Sequence, residues 1–427
     1  MDRNSVTYQS YLEILRNELV PAMGCTEPIA VAYCAAKARQ VLGRMPDRVV
    51  VEVSGNIIKN VKSVVVPNTD GRRGLSVAAA IGIVAGDPDL GLEVISKVTP
   101  AQQLELDTFM NNTPITVQPS DSGLVLDIII KVYAGQDEAC VRVINHHTGL
   151  VCITRNDEVL LDVKPEETEG DKGPALRYDL LNVADIYDFA TSAEIADVQE
   201  TLDRQIECNS AIAEEGLKRD YGANIGKVLM RAHGNDVHTR ARAKAAAGSD
   251  ARMSGCEMPV VINSGSGNQG ITVSVPLIEY AKEWNCRKDR LYRALLISNL
   301  CAIHLKQGIG PLSAFCGAVS AGASAGAGIA FLSGGDLNVI NHTLVNALAI
   351  ASGIVCDGAK ASCAAKISSS IDAGQLGYEM YCNGQEFYGN DGLVVKGVEN
   401  TIQSISEMVR DGMKDTDKKI IELMTRC

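Results

Sequence analysis

Residues 315–332 read FCGAVSAGASAGAGIAFL, and this stretch decides the fold of the C-terminal part of the chain. It contains no charged residue, and Gly, Ala and Ser make up most of it. These residues are weak drivers of membrane insertion, but their small side chains let helices pack tightly. The stretch is therefore predicted to be a buried helix and not a membrane span.

The sequence around this helix is also helical in pattern. From about residue 180 onward, long runs with helical periodicity contain few clusters of β-branched residues. Gly-rich turns interrupt these runs at residues 263–270, 308–310, 333–335 and 389–392. We therefore predict a mostly α-helical domain over residues 169–427.

The N-terminal part combines helices with strands. Residues 8–20 and 27–42 repeat apolar residues at helical spacing, and a small-residue helix is predicted from Gly74 to Gly86. Runs rich in β-branched residues predict strands at 48–53, 115–117, 124–132, 139–145 and 151–155. The fold class is thus predicted as α+β, with an α+β domain over residues 1–168. Residues 165–173 are polar and acidic, as in an exposed linker, and mark the boundary.

Composition limits the classes of function. The chain has 427 residues, of which 46% are hydrophobic, and 40 basic against 52 acidic residues give a net charge of −12. This balance and the absence of a long Lys/Arg block argue against nucleic acid as a partner. The N-terminus lacks the uncharged apolar run of a secretory signal. Thirteen cysteines cannot all pair within one chain, so a reducing cytoplasm is the expected location.

Three of these cysteines could form a metal site. Cys356 and Cys363 are separated by seven positions, which in a helix is about two turns, and Cys316 lies 40 positions before Cys356. Three soft thiolates in a reducing compartment suit zinc or an iron–sulfur cluster. The short C-x₂-C pairs of structural zinc sites are absent. The alternative is that all three cysteines are small buried core residues.

A fourth cysteine lies in the turn Met23-Gly-Cys-Thr-Glu-Pro28. Cys25 precedes a predicted helix, whose free N–H groups and dipole would stabilise a thiolate able to act as base or nucleophile. The alternative is a capping turn, in which Thr26 caps the helix, Pro28 occupies its first turn, and Cys25 is only packed beneath.

The segment Asn263-Ser-Gly-Ser-Gly-Asn-Gln-Gly270 is a candidate substrate loop. Its glycines allow close backbone approach, and the helix predicted from Ile271 offers an anion-binding N-terminus. The segment lacks the Gly-Lys-Ser/Thr ending of a P-loop and has no βαβ context for a dinucleotide. It is better suited to the carboxylate of a small substrate, with a structural turn as the alternative.

Other polar residues give weaker signals. The six histidines form no HExxH pair, and His146 and His147 lie between strand-like segments. Basic residues cluster along one helical segment at Arg231, Arg240, Arg242, Lys244 and Arg252. Most such charges solvate a helix face, although one of them could steer an anionic substrate.

Together, the turn at 24–28, the loop at 264–270 and the three cysteines resemble the L-cysteine desulfidase family, which is related to the iron–sulfur L-serine dehydratases. The resemblance runs through nearly the whole chain. It implies a 4Fe–4S cluster held by Cys316, Cys356 and Cys363, with the fourth iron open to substrate, and Cys25 as catalytic base or acid. The substrate-binding residues expected with it are Thr26, Glu27, Ser264, Gly265, Ser266, Gly267 and Asn268.

The reaction implied is an oxygen-sensitive, iron–sulfur-dependent β-elimination on a small amino acid, with L-cysteine converted to pyruvate, ammonia and hydrogen sulfide. The alternatives are the same elimination on L-serine, an iron–sulfur sensor without turnover, and a cluster-free binding protein. Packing of small-residue helices between subunits would also allow a homo-oligomer.

One further hypothesis concerns the last residue, Cys427. A terminal thiolate on a mobile tail could occupy the open iron when substrate is absent. The alternative is a frayed surface cysteine.

Overall fold

The computed structural model describes residues 1–163, 176–310 and 312–425. The predicted linker at 165–173, with its domain boundary after residue 168, lies outside the described residues, and so does Cys427.

The N-terminal part contains a six-stranded sheet covered by helices. Its elements, in chain order, are α1 (Val6–Glu18), β1 (Pro21–Met23), α2 (Thr26–Leu42), β2 (Arg48–Val53), α3 (Gly55–Val61), α4 (Leu75–Ala85), α5 (Pro100–Asn112), β3 (Ile115–Pro119), β4 (Asp127–Ala134), β5 (Asp137–Ile144), β6 (Leu150–Arg155) and β7 (Glu158–Asp162). The sheet order is β3-β2-β4-β5-β6-β7, in which only β2 and β3 are parallel. Helix α2 packs on β4 and β5 and against α4, and this contact forms one hydrophobic core.

The C-terminal part is mostly helical. Its elements are α6 (Val183–Ser192), α7 (Gln199–Lys218), α8 (Ile225–His233), α9 (Val237–Met253), β8 (Pro259–Val261), α10 (Gly267–Glu283), α11 (Lys288–Ile309), α12 (Gly317–Ser333), α13 (Leu337–Ala351), α14 (Ser362–Cys382), α15 (Val398–Glu407) and α16 (Lys414–Thr425). The predicted α+β fold class is therefore confirmed.

Helix α12 is the buried small-residue helix that the sequence predicts. It packs against α10, α11, α13 and α14, and of its residues only Gly317, Phe331 and Ser333 are not fully buried. A Cβ atom at Gly322 would overlap Ser370, and one at Gly326 would lie 2.8 Å from Cα of Gly374. The backbones of α12 and α14 are therefore in direct contact, and the matching order of these pairs means that the two helices run parallel.

The two parts of the chain are connected by more than one contact. β1 pairs antiparallel with β8, with Ala22 opposite Val260. α1 packs against α11 and contributes Tyr8, Tyr11 and Ile14 to the second hydrophobic core, which is built mainly from the helices of the C-terminal part. The turn after β1 is thereby fixed against the helical part.

Some local predictions were wrong. Helix α10 begins at Gly267 instead of at the predicted Ile271. β1 and β8 were not predicted. In the part of the chain that the structure describes, none of the helices has the length and apolar character needed to cross a membrane.

We expect Gly326→Ala to destabilise the fold by about 1–3 kcal/mol, because the added methyl group must push α12 away from α14. The measurement is the midpoint of thermal unfolding of anaerobically prepared protein. Gly412→Ala is the control, since its methyl group would meet nothing within 4 Å. An equal loss of stability in both variants would show that the contact between α12 and α14 is not the reason why a methyl group at position 326 destabilises the fold.

Candidate active site

One cavity of about 490 Å³ brings the predicted motifs together. It lies where the turn at Cys25, the loop after β8 and the first turns of α12 and α14 meet. The predicted site residues that line it are Cys25, Glu27, Ser264, Gly265, Ser266, Asn268, Cys316, Cys356 and Cys363. Thr26 and Gly267 are fully buried beside these residues and do not line the cavity. A wider depression of about 900 Å³ next to Trp284 contains none of the predicted site residues.

Backbone contacts place the three cysteines of the metal hypothesis. Cys316 is the N-cap residue of α12, and Cys363 lies in the first turn of α14. Because these helices are parallel and in register, their first turns lie side by side. Cys356 is brought next to them by a short antiparallel bridge, in which the Cys316 N–H donates to O of Ile354 at 3.1 Å and the Cys356 N–H donates to O of Ala314 at 2.6 Å.

The sequence predicted that helical spacing brings Cys356 and Cys363 together, and this prediction was wrong. Cys356 is not helical, and the chain turns at Gly358, whose φ of +89° favours glycine, before α14 begins. The sulfurs line one cavity because of this loop and not because of helical spacing. All twelve described cysteines are free, and no group of three or more His, Cys, Asp or Glu side chains among the described residues is placed to hold a metal ion.

The surroundings of the three thiols nevertheless suit an anionic cluster. Lys306 is 6% exposed, and its ammonium group makes no hydrogen bond or ion pair with the described residues. Burial lowers the pKa of Lys306 to about 8, and nearby Cys356 and Cys316 act in the opposite direction. A buried cation without an anionic partner is costly. Thiolates at these positions, or an anionic iron–sulfur cluster bound by them, would offset that cost.

The Cys25 turn is held together by Glu27. Cys25 is the N-cap residue of α2 and makes no side-chain cap, so Thr26 is already inside the helix. The Cys25 thiol donates to Oε2 of Glu27 at 3.0 Å, and Thr26 Oγ1 donates to the same oxygen at 3.2 Å. The other carboxylate oxygen accepts from Nδ2 of Asn60 at 2.9 Å. Glu27 is thus a buried carboxylate with a partner on each oxygen.

The electrostatics of this turn favour a protonated Cys25. Burial raises the pKa of Cys25 well above its usual value, and the negative charge of Glu27 raises it further, while Arg252 lowers it. Burial alone would raise the pKa of Glu27, but the charge on His147 and the hydrogen bond from Cys25 outweigh burial and lower it. The expected stabilisation of a thiolate by the helix is therefore opposed by burial and by Glu27.

The loop after β8 has a constrained backbone. Ser264 and Gly265 both have positive φ, +49° and +73°, which is uncommon for serine. The Ser264 hydroxyl donates to Oδ1 of Asn263 at 2.9 Å, and the Ser266 hydroxyl caps α10 by accepting from the Gln269 N–H. A Cβ atom at Gly267 would overlap Nε of Arg252. Glycine at 267 therefore makes room for the Arg252 guanidinium group.

Several lining residues were not predicted as site residues. His147 reaches the cavity from the β5–β6 turn and packs on Gly265. Arg252, at the end of α9, is 2% exposed. Six buried side-chain atoms of residues that line the cavity have no hydrogen-bond partner, namely Asn60 Oδ1, His147 Nε2, Arg252 Nε, Arg252 Nη2, Asn268 Oδ1 and Gln269 Oε1. The sequence signal for Arg252 was only its place in a basic cluster, which does not separate a buried arginine from exposed ones.

Comparison with known proteins identifies the relatives of the chain. The family model of the serine dehydratase alpha chain matches residues 89–422. A UPF0597 protein of Desulfitobacterium hafniense (strain Y51) is 55% identical over 426 residues, which cover 99% of this chain and 98% of the relative. UPF0597 proteins of Lachnoclostridium phytofermentans and Treponema denticola are 46% and 42% identical, with 98% and 100% of this chain and 99% and 100% of the relatives covered.

We expect Glu27→Gln to lower the pKa of Cys25, because it removes the negative charge that favours the protonated thiol. The measurement is the pH dependence of Cys25 alkylation by iodoacetamide, followed by peptide mass spectrometry, and the profile should move to lower pH. Glu18→Gln is the control, since Glu18 lines the same cavity without contributing to the Cys25 shift. A profile that is unchanged in Glu27→Gln would contradict the coupling between Cys25 and Glu27.

Proposed function

Because this chain belongs to the serine dehydratase alpha chain family, we propose that it is a lyase that uses an iron–sulfur cluster to eliminate the β-substituent of a small amino acid. We propose L-cysteine as the substrate, with pyruvate, ammonia and hydrogen sulfide as products. The family membership confirms the serine dehydratase side of the resemblance. The desulfidase activity and the oxygen-sensitive cluster are proposals, as is the cytoplasmic location that a reducing environment for them implies.

The observation that carries the proposal is the convergence of three distant segments on one cavity. The Cys25 turn precedes the loop at 264–268 by more than 230 residues, and the loop ends 48 residues before Cys316, yet the turn, the loop and the three cysteines all line the same 490 Å³ space. A volume of this size accommodates a small amino acid beside a cluster. Unrelated core cysteines would have no reason to share a cavity with a buried carboxylate, a buried arginine and a buried lysine.

The cluster would be held by Cys316, Cys356 and Cys363. When bound with one iron open, it would supply Lewis acidity that stabilises negative charge developing on the substrate. Lys306 supports this arrangement, since its charge lies next to two of the three thiols. The other steps are assigned to residues of the chain itself.

Proton transfer is assigned to Cys25 and Glu27. The proton on Cys25 Sγ already points to Glu27 Oε2, 3.0 Å away. As Sγ takes the proton from the substrate Cα, it can pass its own proton to Glu27, so that a free thiolate need not accumulate. The raised pKa of Cys25 and the lowered pKa of Glu27 both oppose this transfer in the free protein, so Sγ has to release its proton to Glu27 in the same step in which it takes the Cα proton. The polar loop at 264–268 would hold the substrate during this step.

Part of the wall around the three thiols is apolar, which suits a sulfur leaving group. Leu312, Phe315, Ala318 and Ile367 line the cavity there and offer no side-chain hydrogen bonds. Hydrogen sulfide is a much stronger acid than water, so sulfide leaves with less help from hydrogen-bond donors than hydroxide does. L-serine is the second candidate substrate, and membership of the serine dehydratase alpha chain family favours it.

We expect anaerobically purified protein to be brown and to contain iron and sulfide, and we expect Cys316→Ser, Cys356→Ser and Cys363→Ser each to lose most of both. Removing one thiolate leaves too few protein ligands for the cluster. The measurement is iron and sulfide content per chain together with the visible spectrum. Cys382→Ser is the matched control, because Cys382 is an exposed cysteine at the other end of α14. Colourless, iron-free wild-type protein would refute the cluster.

We expect Cys25→Ser to keep the cluster but to lower kcat by about 10²–10⁴-fold, the usual contribution of a positioned acid–base group. The measurement is anaerobic release of pyruvate from L-cysteine and, separately, from L-serine. Cys152→Ser, on the sheet outside the cavity, should retain full turnover. Full activity of Cys25→Ser would remove Cys25 from the mechanism, and a higher kcat/KM with L-serine in the wild type would select the second substrate.

A further inference from the structure

We propose that Arg252 is the receptor for the substrate carboxylate, and that the amide oxygens of Asn60, Asn268 and Gln269 receive the substrate ammonium group. This inference rests on the function proposed above and makes it more specific. It places the carboxylate on a buried side chain instead of on the N-terminus of α10. The cavity would then select α-amino acids as zwitterions.

The unpartnered edge of Arg252 is the edge that binds carboxylates. Nε and Nη2 lie on one side of a guanidinium group and can donate two parallel hydrogen bonds to the two oxygens of a carboxylate. Arg142 uses this edge to bind Asp127, with distances of 2.9 and 3.0 Å. In Arg252 the same two atoms are buried and have no hydrogen-bond partner among the described residues.

The position of the guanidinium group is enforced by its neighbours. A Cβ atom at Gly267 would overlap both Nε and Cζ of Arg252, so the group lies directly against the backbone of the loop. Arg252 is in the last turn of α9, where the helix dipole favours a positive charge. The arginine and the loop therefore form one rigid unit at the cavity wall.

Residues of the protein do not neutralise this charge by direct contact. Arg252 forms no ion pair with an acidic side chain in the described part of the chain. Glu27 is near enough for Arg252 to lower its pKa, but both of its oxygens already accept hydrogen bonds from other side chains. A fully buried, unpaired arginine is costly, and an anion that enters the cavity would offset the cost.

The ammonium side of the substrate also has partners. Nδ2 of Asn60 donates to Glu27, which leaves its Oδ1 as a buried acceptor. Oδ1 of Asn268 and Oε1 of Gln269 are likewise buried and unpartnered. Three acceptors match the three N–H groups of an ammonium ion. Arg252 and these neutral acceptor groups on the same cavity are thus complementary to a zwitterion.

The experiment measures binding of L-alanine, which has both charged groups but no β-substituent to eliminate, by calorimetry on the anaerobic holoprotein. We expect Arg252→Lys to weaken L-alanine binding by about 10- to 100-fold, as expected when a bidentate charge-assisted contact is lost. Arg242→Lys is the matched control, because Arg242 lies on the same helix but is paired with Asp372 at 2.6 Å. It should bind L-alanine as the wild type does.

A second measurement needs no variant and so does not depend on Arg252→Lys folding. Wild-type protein should bind L-alaninamide, which lacks the carboxylate, at least about tenfold more weakly than L-alanine. Equal binding of the two compounds, or undiminished L-alanine binding in folded Arg252→Lys, would overturn the inference even if pyruvate is produced. L-alanine binding that requires Arg252, without pyruvate from either L-cysteine or L-serine, would support the inference and reject the reaction.

Discussion

The direct backbone contact between α12 and α14 is the constraint on which the rest of the site depends. Gly322 meets Ser370, and Gly326 meets Gly374, an offset of 48 positions in both pairs. The same offset extended to the start of α12 places Cys316 beside residue 364, next to Cys363. Small residues in the middle of two helices thus determine where two of the cavity's thiols lie at their ends. The bridge between residues 314–316 and 354–356 then adds Cys356.

The other half of the cavity depends on the pairing of β1 with β8. Each strand has only three residues, and neither would be stable alone. Their pairing holds the Cys25 turn against the segment between Arg252 and the loop at 264–268. A small buried cluster is formed by Cys25, Val64 and Met253, and Cys363 packs on it. Through this cluster, the N-terminal part of the chain also covers the thiols. The site is therefore a product of the interface and belongs to neither part of the chain alone.

The local pattern of apolar residues was enough to predict most helices and strands, but it was not enough to predict which residues meet at the candidate site. The helix at 27–42 and the strand at 48–53 were predicted to within a residue, because their periodicity is local. β1 and β8 have no local signal, since each is a strand only because of a partner more than 230 residues away. The three cysteines were assigned through family resemblance, and the helical spacing proposed for two of them was wrong. Burial of Arg252 and the reach of His147 depend on tertiary packing, which sequence spacing does not contain.

The distribution of unsatisfied polar atoms favours the interpretation of this cavity as a binding site over that of a packing defect. Twelve buried side-chain polar atoms in the described part of the chain have no hydrogen-bond partner, and six of them belong to residues that line this one cavity. Ordered water could satisfy the amide oxygens of Asn60, Asn268 and Gln269 in the free protein, at modest cost. Water would not neutralise the charge of Arg252 or Lys306, however, so those two residues continue to reduce folding stability until an anion is bound. Two such residues around three thiols and a hydrogen-bonded carboxylate are the kind of destabilising arrangement that is common at functional sites.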